Sequence, residues 1–318
     1  MSYLLLAGGL ILLIFASNWL VDGASSIARR FNISDIVIGL TVVAFGTSSP
    51  ELTVNLIASF NGNTDLAIGN ILGSNIFNIL VILGVTAMVL PVTVKNNTVW
   101  KEIPFSLLAI LTMAVLANDI FIDGASKNEI SRIDGLVLLG FFSIFMAYTF
   151  ILAKQSGPLR EAEEVKLSVP KSILFVLMGL VGLFLGGRFL VNGAVDIARS
   201  IGLSESVIGL TIVAAGTSLP ELATSITAAL KKKSDIAIGN VVGSNIFNIY
   251  MVLGVSATIR PLPFNETANF DIMTTIVATL LMFGFVFLRK GRRIDRVEGL
   301  FLFSVYIAYT VYLLGFSA

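Results

Sequence analysis

Glu51 and Glu221 each follow a proline inside a long apolar run, in GTSSPELTVNLIASF (46–60) and GTSLPELATSITAAL (216–230). A charge at the centre of a bilayer costs roughly 2.5–3.5 kcal/mol even on lenient insertion scales. No basic residue lies within either segment, because Lys231, Lys232 and Lys233 fall at the membrane edge. The compensating partner is therefore a cation, or a proton when no cation is bound. Pro50 and Pro220 lack an amide hydrogen and clash with the preceding turn, so each should break its helix and free carbonyls near Gly46 and Gly216. Thr47, Ser48 and Glu51 then share roughly one helical face, as do Thr217, Ser218 and Glu221. All of them offer oxygen, which suits a hard cation such as Ca²⁺, with its about 6–8 oxygen ligands.

A second motif follows each first one: GNILGSNIFN (69–78) and GNVVGSNIFN (239–248). Ser74 and Asn78 stand one turn apart, as do Ser244 and Asn248, and each pair presents a hydroxyl and an amide oxygen. Gly69 and Gly73, like Gly239 and Gly243, have the spacing that lets two helix backbones approach closely. The expectation is a four-helix centre, with two broken helices carrying Glu and two glycine-faced helices carrying Ser and Asn. Thr41, Thr211, Asn70, Asn240, Asn75 and Asn245 are as well or better explained by bonds between helices. Asp65 and Asp235 are expected to cap helix N-termini, and Arg188 to be structural or snorkelling.

These residues need elements to hold them. The chain has 318 residues, 56% hydrophobic and 13% charged, with a mean hydropathy of +0.92. Soluble domains carry about 25% charged residues, so the composition is that of an all-α polytopic membrane protein. Cysteine and histidine are both absent. That excludes disulfides, thiolate or histidine catalysis and Cys- or His-type metal centres. An intramembrane hydrolase would need a Ser–His or Ser–Lys pair, two aspartates or a metal motif, and no lysine lies deep in a helix. The net charge of +1 and the lack of a basic arm point away from nucleic acid. The apolar stretch 3–21 has no basic residues before it and no cleavage signature after it, and reads as a first membrane helix.

Ten membrane helices are expected, at about 2–28, 34–60, 64–90, 100–118, 132–153, 170–198, 204–230, 234–259, 269–288 and 296–316. They form a first half at 1–153, a polar linker at 154–171 and a second half at 172–318. With both termini outside, most of the 21 Lys and Arg fall in cytoplasmic loops; only Lys127, Arg132, Arg199 and Arg260 fall in external ones. Residues 39–84 and 209–254 align without a gap at an offset of 170, with 26 of 46 positions identical. An odd number of helices per half puts the copies in opposite orientations. The expected architecture is thus two inverted-topology five-helix repeats, with a site at their interface and alternating access.

GTSxPE followed by GNxxGSNIFN, present twice, resembles the α-repeats of the calcium/cation antiporter superfamily, in particular prokaryotic Na⁺/Ca²⁺ exchangers. The resemblance implies exchange of Na⁺ for Ca²⁺ across the cell membrane, with no enzymatic activity and no cofactor beyond the transported ions Ca²⁺ and Na⁺. It places metal ligands at Thr47, Ser48, Glu51, Ser74, Asn78, Thr217, Ser218, Glu221, Ser244 and Asn248, with carbonyls near Ala44 and Ala214 completing sodium sites. The long first and sixth helices resemble the pair that slides to switch access. Asn78 and Asn248 are both amides, so the formal charge of the site is only −2, which fits electrogenic exchange and argues against a K⁺ requirement. A Ca²⁺/H⁺ antiporter of the same architecture is the alternative. A channel fits duplicated broken helices less well than alternating access does. The partners are the two ions and the lipid bilayer, and a monomer is expected.

Overall fold

The computed structural model describes residues 2–155, 167–202, 214–288 and 291–316. Within them the chain is almost wholly helical. The principal helices are α1 (Ser2–Arg30), α2 (Asp35–Thr47), α3 (Ser49–Asn61), α4 (Thr64–Val89), α5 (Thr98–Leu116), α6 (Arg132–Gln155), α7 (Val169–Ser200), α8 (Leu219–Leu230), α9 (Ser234–Ile259), α10 (Asn269–Leu288) and α11 (Arg296–Phe316). Among the described residues eight helices are each long and apolar enough to cross a membrane, and the bent pair α2–α3 makes a ninth. The expected helix over 204–230 falls partly on residues 203–213, outside the described residues, as do 156–166 of the linker; α8 is the last part of that helix.

The most apolar helices are not the innermost: of the eight single spans α6 is the most apolar and α9 the least. The apolar windows of α4 and α9 are 83% and 94% buried, against 17% for α6 and α11, so α4 and α9 form the centre and the latter pair faces outward. The centre is close-packed because glycine removes the side chain where backbones cross. A Cβ on Gly239 of α9 would lie 3.0 Å from the Ile36 carbonyl and 3.1 Å from the Gly39 Cα of α2. The glycine spacing of the second copy thus does what its sequence implies. The matching face of Gly69 and Gly73 meets nothing within 4 Å among the described residues.

α1 and α7 pack antiparallel along most of their length. Gly9 lies against Leu190 at one end and Gly23 against Ser172 at the other. The seam is smooth because small residues face it: a Cβ on Gly179 would come within 2.7 Å of the Leu20 amide nitrogen.

Two short antiparallel strand pairs interrupt the all-helical pattern. β1 (Val92–Thr93) pairs with β4 (Arg293–Ile294), and β2 (Glu129–Ile130) with β3 (Leu262–Pro263). Each ties a loop of the first half to a loop of the second.

Candidate cation site

The break between α2 and α3 is a bend of 45° centred on Ser48, with Pro50 at the start of α3, where its missing N–H costs no helical bond. The freed carbonyls are not left bare. Ser49 Oγ donates to the Gly46 carbonyl at 2.7 Å, and the Ser48 amide and Thr47 Oγ1 reach the Ala44 carbonyl at 2.9 and 3.4 Å. Leu219 replaces Ser49 in the second copy, so Gly216 has no such hydroxyl from that position. α8 likewise begins at Leu219–Pro220, with Ala214 opening the short helical segment before it.

Glu51 and Glu221 start α3 and α8, and both are fully buried. Each is served by the other copy. Ser48 Oγ donates to Glu221 Oε1 at 3.0 Å, and Ser218 Oγ donates to Glu51 Oε1 at 3.1 Å. Ser74 Oγ reaches the same Glu51 oxygen at 3.2 Å and shares a hydrogen bond of 2.8 Å with Ser218 Oγ. α4 and α9 widen into π-helical turns at Asn78–Leu83 and Phe247–Leu253, a distortion frequent at functional sites. Asn78 Nδ2 donates to Asn245 Oδ1 at 2.9 Å, and Asn248 Nδ2 donates to Asn75 Oδ1 at 3.0 Å. Asn75 and Asn245 are therefore the interhelical partners they were expected to be, and they turn the two amides of Asn78 and Asn248 so that their oxygens point elsewhere.

The donor set left over is all oxygen. Glu51 Oε2, Glu221 Oε2, Asn78 Oδ1, Asn248 Oδ1, Thr217 Oγ1 and Ser244 Oγ are buried and meet no hydrogen-bond donor among the described residues. Further buried hydroxyls without partners, such as Thr86, Thr98 and Ser256, are scattered along the helices. A buried carboxylate or amide oxygen without a donor is costly unless a cation takes its place. The chemistry of the set, two carboxylates with amides and hydroxyls, suits a hard ion carrying little more than the two charges it would neutralise.

The two copies are not used identically. Asn240 Oδ1 accepts from Thr47 Oγ1 at 3.1 Å, while its Nδ2 reaches the Glu221 carbonyl at 3.2 Å and Ser225 Oγ at 3.0 Å. In the first copy the longer Asn55 does this alone, donating to the Glu51 carbonyl at 2.9 Å, and Asn70 Nδ2 has no partner among the described residues. The difference between Asn55 and Ser225 in the repeat is thus a swap of which residue satisfies the glutamate carbonyl. Access is asymmetric as well. α1 packs on α8, where Ser17 and Thr227 share a hydrogen bond of 2.8 Å. Between α3 and α7 there is instead a cavity of about 270 Å³ that reaches Thr217 and Pro220.

Two expectations fail. Asp235 caps nothing: it pairs with Lys95 at 2.5 Å, and residue Lys233 occupies the cap position of α9. Asn63, not Asp65, caps α4, accepting from the Leu66 amide at 3.3 Å. Both losses have one cause: Asp65 and Asp235 are each the second residue within their helix, past the cap position. Sequence reasoning also passed over Glu102, buried on α5, which accepts a hydrogen bond from Tyr148 of α6, and Asp271 of α10, which accepts one from Tyr309 of α11 at 2.8 Å. Acid and tyrosine lie on successive helices in each half, a signal visible only when the halves are compared.

The family model described as "Sodium/calcium exchanger protein" matches residues 1–151 and 171–315. A putative antiporter CaxA of Alkalimonas amylolytica is 42% identical over 95% of each chain. The sodium/calcium exchanger MaX1 of Methanosarcina acetivorans is 31% identical over 98% of each. Among solved structures, the sodium-calcium exchanger NCX_Mj soaked with Na⁺ and Sr²⁺ superposes with a TM-score of 0.82 at 36% identity, covering 96% of both chains.

Proposed function

Since the chain belongs to the sodium/calcium exchanger protein family, a family of multi-pass membrane transporters, we propose that it exchanges Na⁺ for Ca²⁺ across the membrane by alternating access. The observation that carries this reading is the presence, in both copies of the repeat, of buried carboxylate, amide and hydroxyl oxygens that no donor among the described residues satisfies. In this account Ca²⁺ sits between Glu51 and Glu221, with Asn78, Asn248 and the hydroxyls completing its shell. Thr47, Ser48, Ser74, Thr217, Ser218 and Ser244, with carbonyls near Ala44 and Ala214, serve Na⁺. The reciprocal bonds Ser48–Glu221 and Ser218–Glu51 support a single site shared by the two halves.

The scaffold is ten helices in two inverted five-helix repeats, 1–153 and 172–318, joined by the cytoplasmic linker 154–171, with both termini outside. The antiparallel contact of α1 with α7, which occupy equivalent places in the two repeats, supports the inversion. A site of formal charge −2 balances one Ca²⁺ or two Na⁺, and a third Na⁺ would make exchange electrogenic. The protein works as a monomer.

Proteoliposomes loaded with Na⁺ and diluted into Na⁺-free medium should take up Ca²⁺, faster with the interior made positive, because three Na⁺ leaving for one Ca²⁺ entering carry net positive charge outward. A Ca²⁺ flux that follows a pH gradient and ignores Na⁺ would establish Ca²⁺/H⁺ antiport instead.

A further inference from the structure

The cavity between α3 and α7 is lined mainly by apolar and small residues, and Arg188 of α7 is the one charged side chain among its described lining. Arg188 sits beside the site in the chain as well as in space. A Cβ on its neighbour Gly187 would lie 3.8 Å from both the Gly216 carbonyl and the Pro220 ring. The same cavity is lined by Thr217, whose Oγ1 is one of the unpartnered oxygens. Among the described residues no carboxylate pairs with Arg188. Asp196, further along α7, accepts instead from Ser2 Oγ at 3.1 Å.

The charge belongs to one half only. The repeat places Asn18 opposite Arg188, and Asn18 Nδ2 folds back onto the Ile14 carbonyl at 2.8 Å. A fixed cation in a passage for cations is costly to transport unless it does something. Its potential acts on an ion in proportion to the charge of that ion, and low-dielectric walls carry it further than bulk water would.

The geometry points to Arg188 as a specificity-determining residue: from this side it disfavours a divalent cation against a monovalent one. This inference rests on the cation-exchange reading. If the potential of Arg188 weakens the apparent affinity for a monovalent ion by some factor, it weakens that for Ca²⁺ by the square of that factor. Na⁺ is thereby favoured over Ca²⁺ at the cavity mouth, and the two halves differ in selectivity although their ligands match.

The test uses the full-length protein in sealed right-side-out membrane vesicles, with Ca²⁺ and competing Na⁺ varied outside. Arg188→Asn copies the other half, and Arg188→Lys keeps the charge. For Arg188→Asn, half-saturation should fall roughly threefold per Na⁺ and roughly tenfold for Ca²⁺. The difference should shrink when choline chloride raises the ionic strength. Arg188→Lys should match the parent. Equal fold-changes for the two ions, an Arg188→Asn protein that exchanges like the parent, or an Arg188→Lys protein that behaves like Arg188→Asn would each overturn the inference and leave the exchanger reading intact. A parent protein with no cation-coupled Ca²⁺ flux would remove both.

Discussion

Ser48 of the first copy donates its hydroxyl to Glu221 of the second at 3.0 Å, and Ser218 returns the contact to Glu51 at 3.1 Å. Neither carboxylate is held by the serine two or three residues before it in its own copy, although Ser74 of the first copy also reaches Glu51 at 3.2 Å. A hydrogen bond to a charged group contributes about 1.5–3 kcal/mol, and tenfold in an equilibrium constant is about 1.4 kcal/mol. Ser48→Ala and Ser218→Ala should therefore each weaken Ca²⁺ exchange by at least about tenfold in half-saturation, with the fold intact by size-exclusion chromatography. Because Ser218 also meets Ser74 at 2.8 Å, Ser218→Ala should be the more damaging of the two.

The unequal use of Asn70 and Asn240 makes a comparison that needs no transport assay. Asn240 joins Thr47, the Glu221 carbonyl and Ser225, whereas Asn70 Nδ2 has no partner among the described residues. Leaving buried polar groups unsatisfied costs about 1–3 kcal/mol each. Asn240→Ala should lower the thermal midpoint in detergent by several degrees, and Asn70→Ala should leave it near the parent value. Equal shifts would show that the two copies are packed alike.

On the cytoplasmic side of the proposed orientation, ion pairs cross between the halves. Lys231 meets Asp22 of α1 at 2.8 Å and the Asn18 carbonyl at 3.3 Å, and Lys95 meets Asp235 of α9 at 2.5 Å. The loop equivalent to Lys231–Lys233 is Asn61–Gly62–Asn63, which carries no charge. The Lys231–Asp22 pair holds α1 against the end of α8 while α7 stands apart from α3. The chain has no cysteine, so a single introduced thiol reports access cleanly. Asp22→Asn combined with Asn192→Cys should label more slowly with an external charged maleimide than Asn192→Cys alone, because weakening one closure favours the other. Exposed pairs contribute only about 0–1 kcal/mol, so a two- to fivefold change is the expected scale. An unchanged or faster rate would separate the ion pairs from the access equilibrium.

Much of the site was legible in the sequence for one reason: duplication. A lone Glu51 after a proline, or a lone Ser74 and Asn78, would have been weak. The repeat at 216–248 made each residue reappear at the same spacing, and the structure places Ser48 on Glu221, and Ser74 and Ser218 on Glu51. What periodicity could not supply was which copy serves which carboxylate, since that depends on how α2 and α9 cross at Gly39 and Gly239. Nor could it show that Lys95 would reach Asp235 from a loop distant in the chain. Nor does local pattern show that the Ser49 hydroxyl closes onto the Gly46 carbonyl at the break. In each case local sequence set the chemistry and the approach of a distant segment set the partner.

The most direct test of the central claim is Ca²⁺ uptake by Na⁺-loaded proteoliposomes carrying the parent protein, Glu51→Gln or Glu221→Gln. Glutamine keeps the shape and the acceptor oxygen while removing the charge, so folding should survive and coordination should not. The account predicts robust uptake by the parent and loss of at least about a hundredfold in half-saturation for each variant, since a buried ion left without its counter-charge costs about 3–5 kcal/mol. Parent-like uptake by either variant would contradict a Ca²⁺ site shared between Glu51 and Glu221.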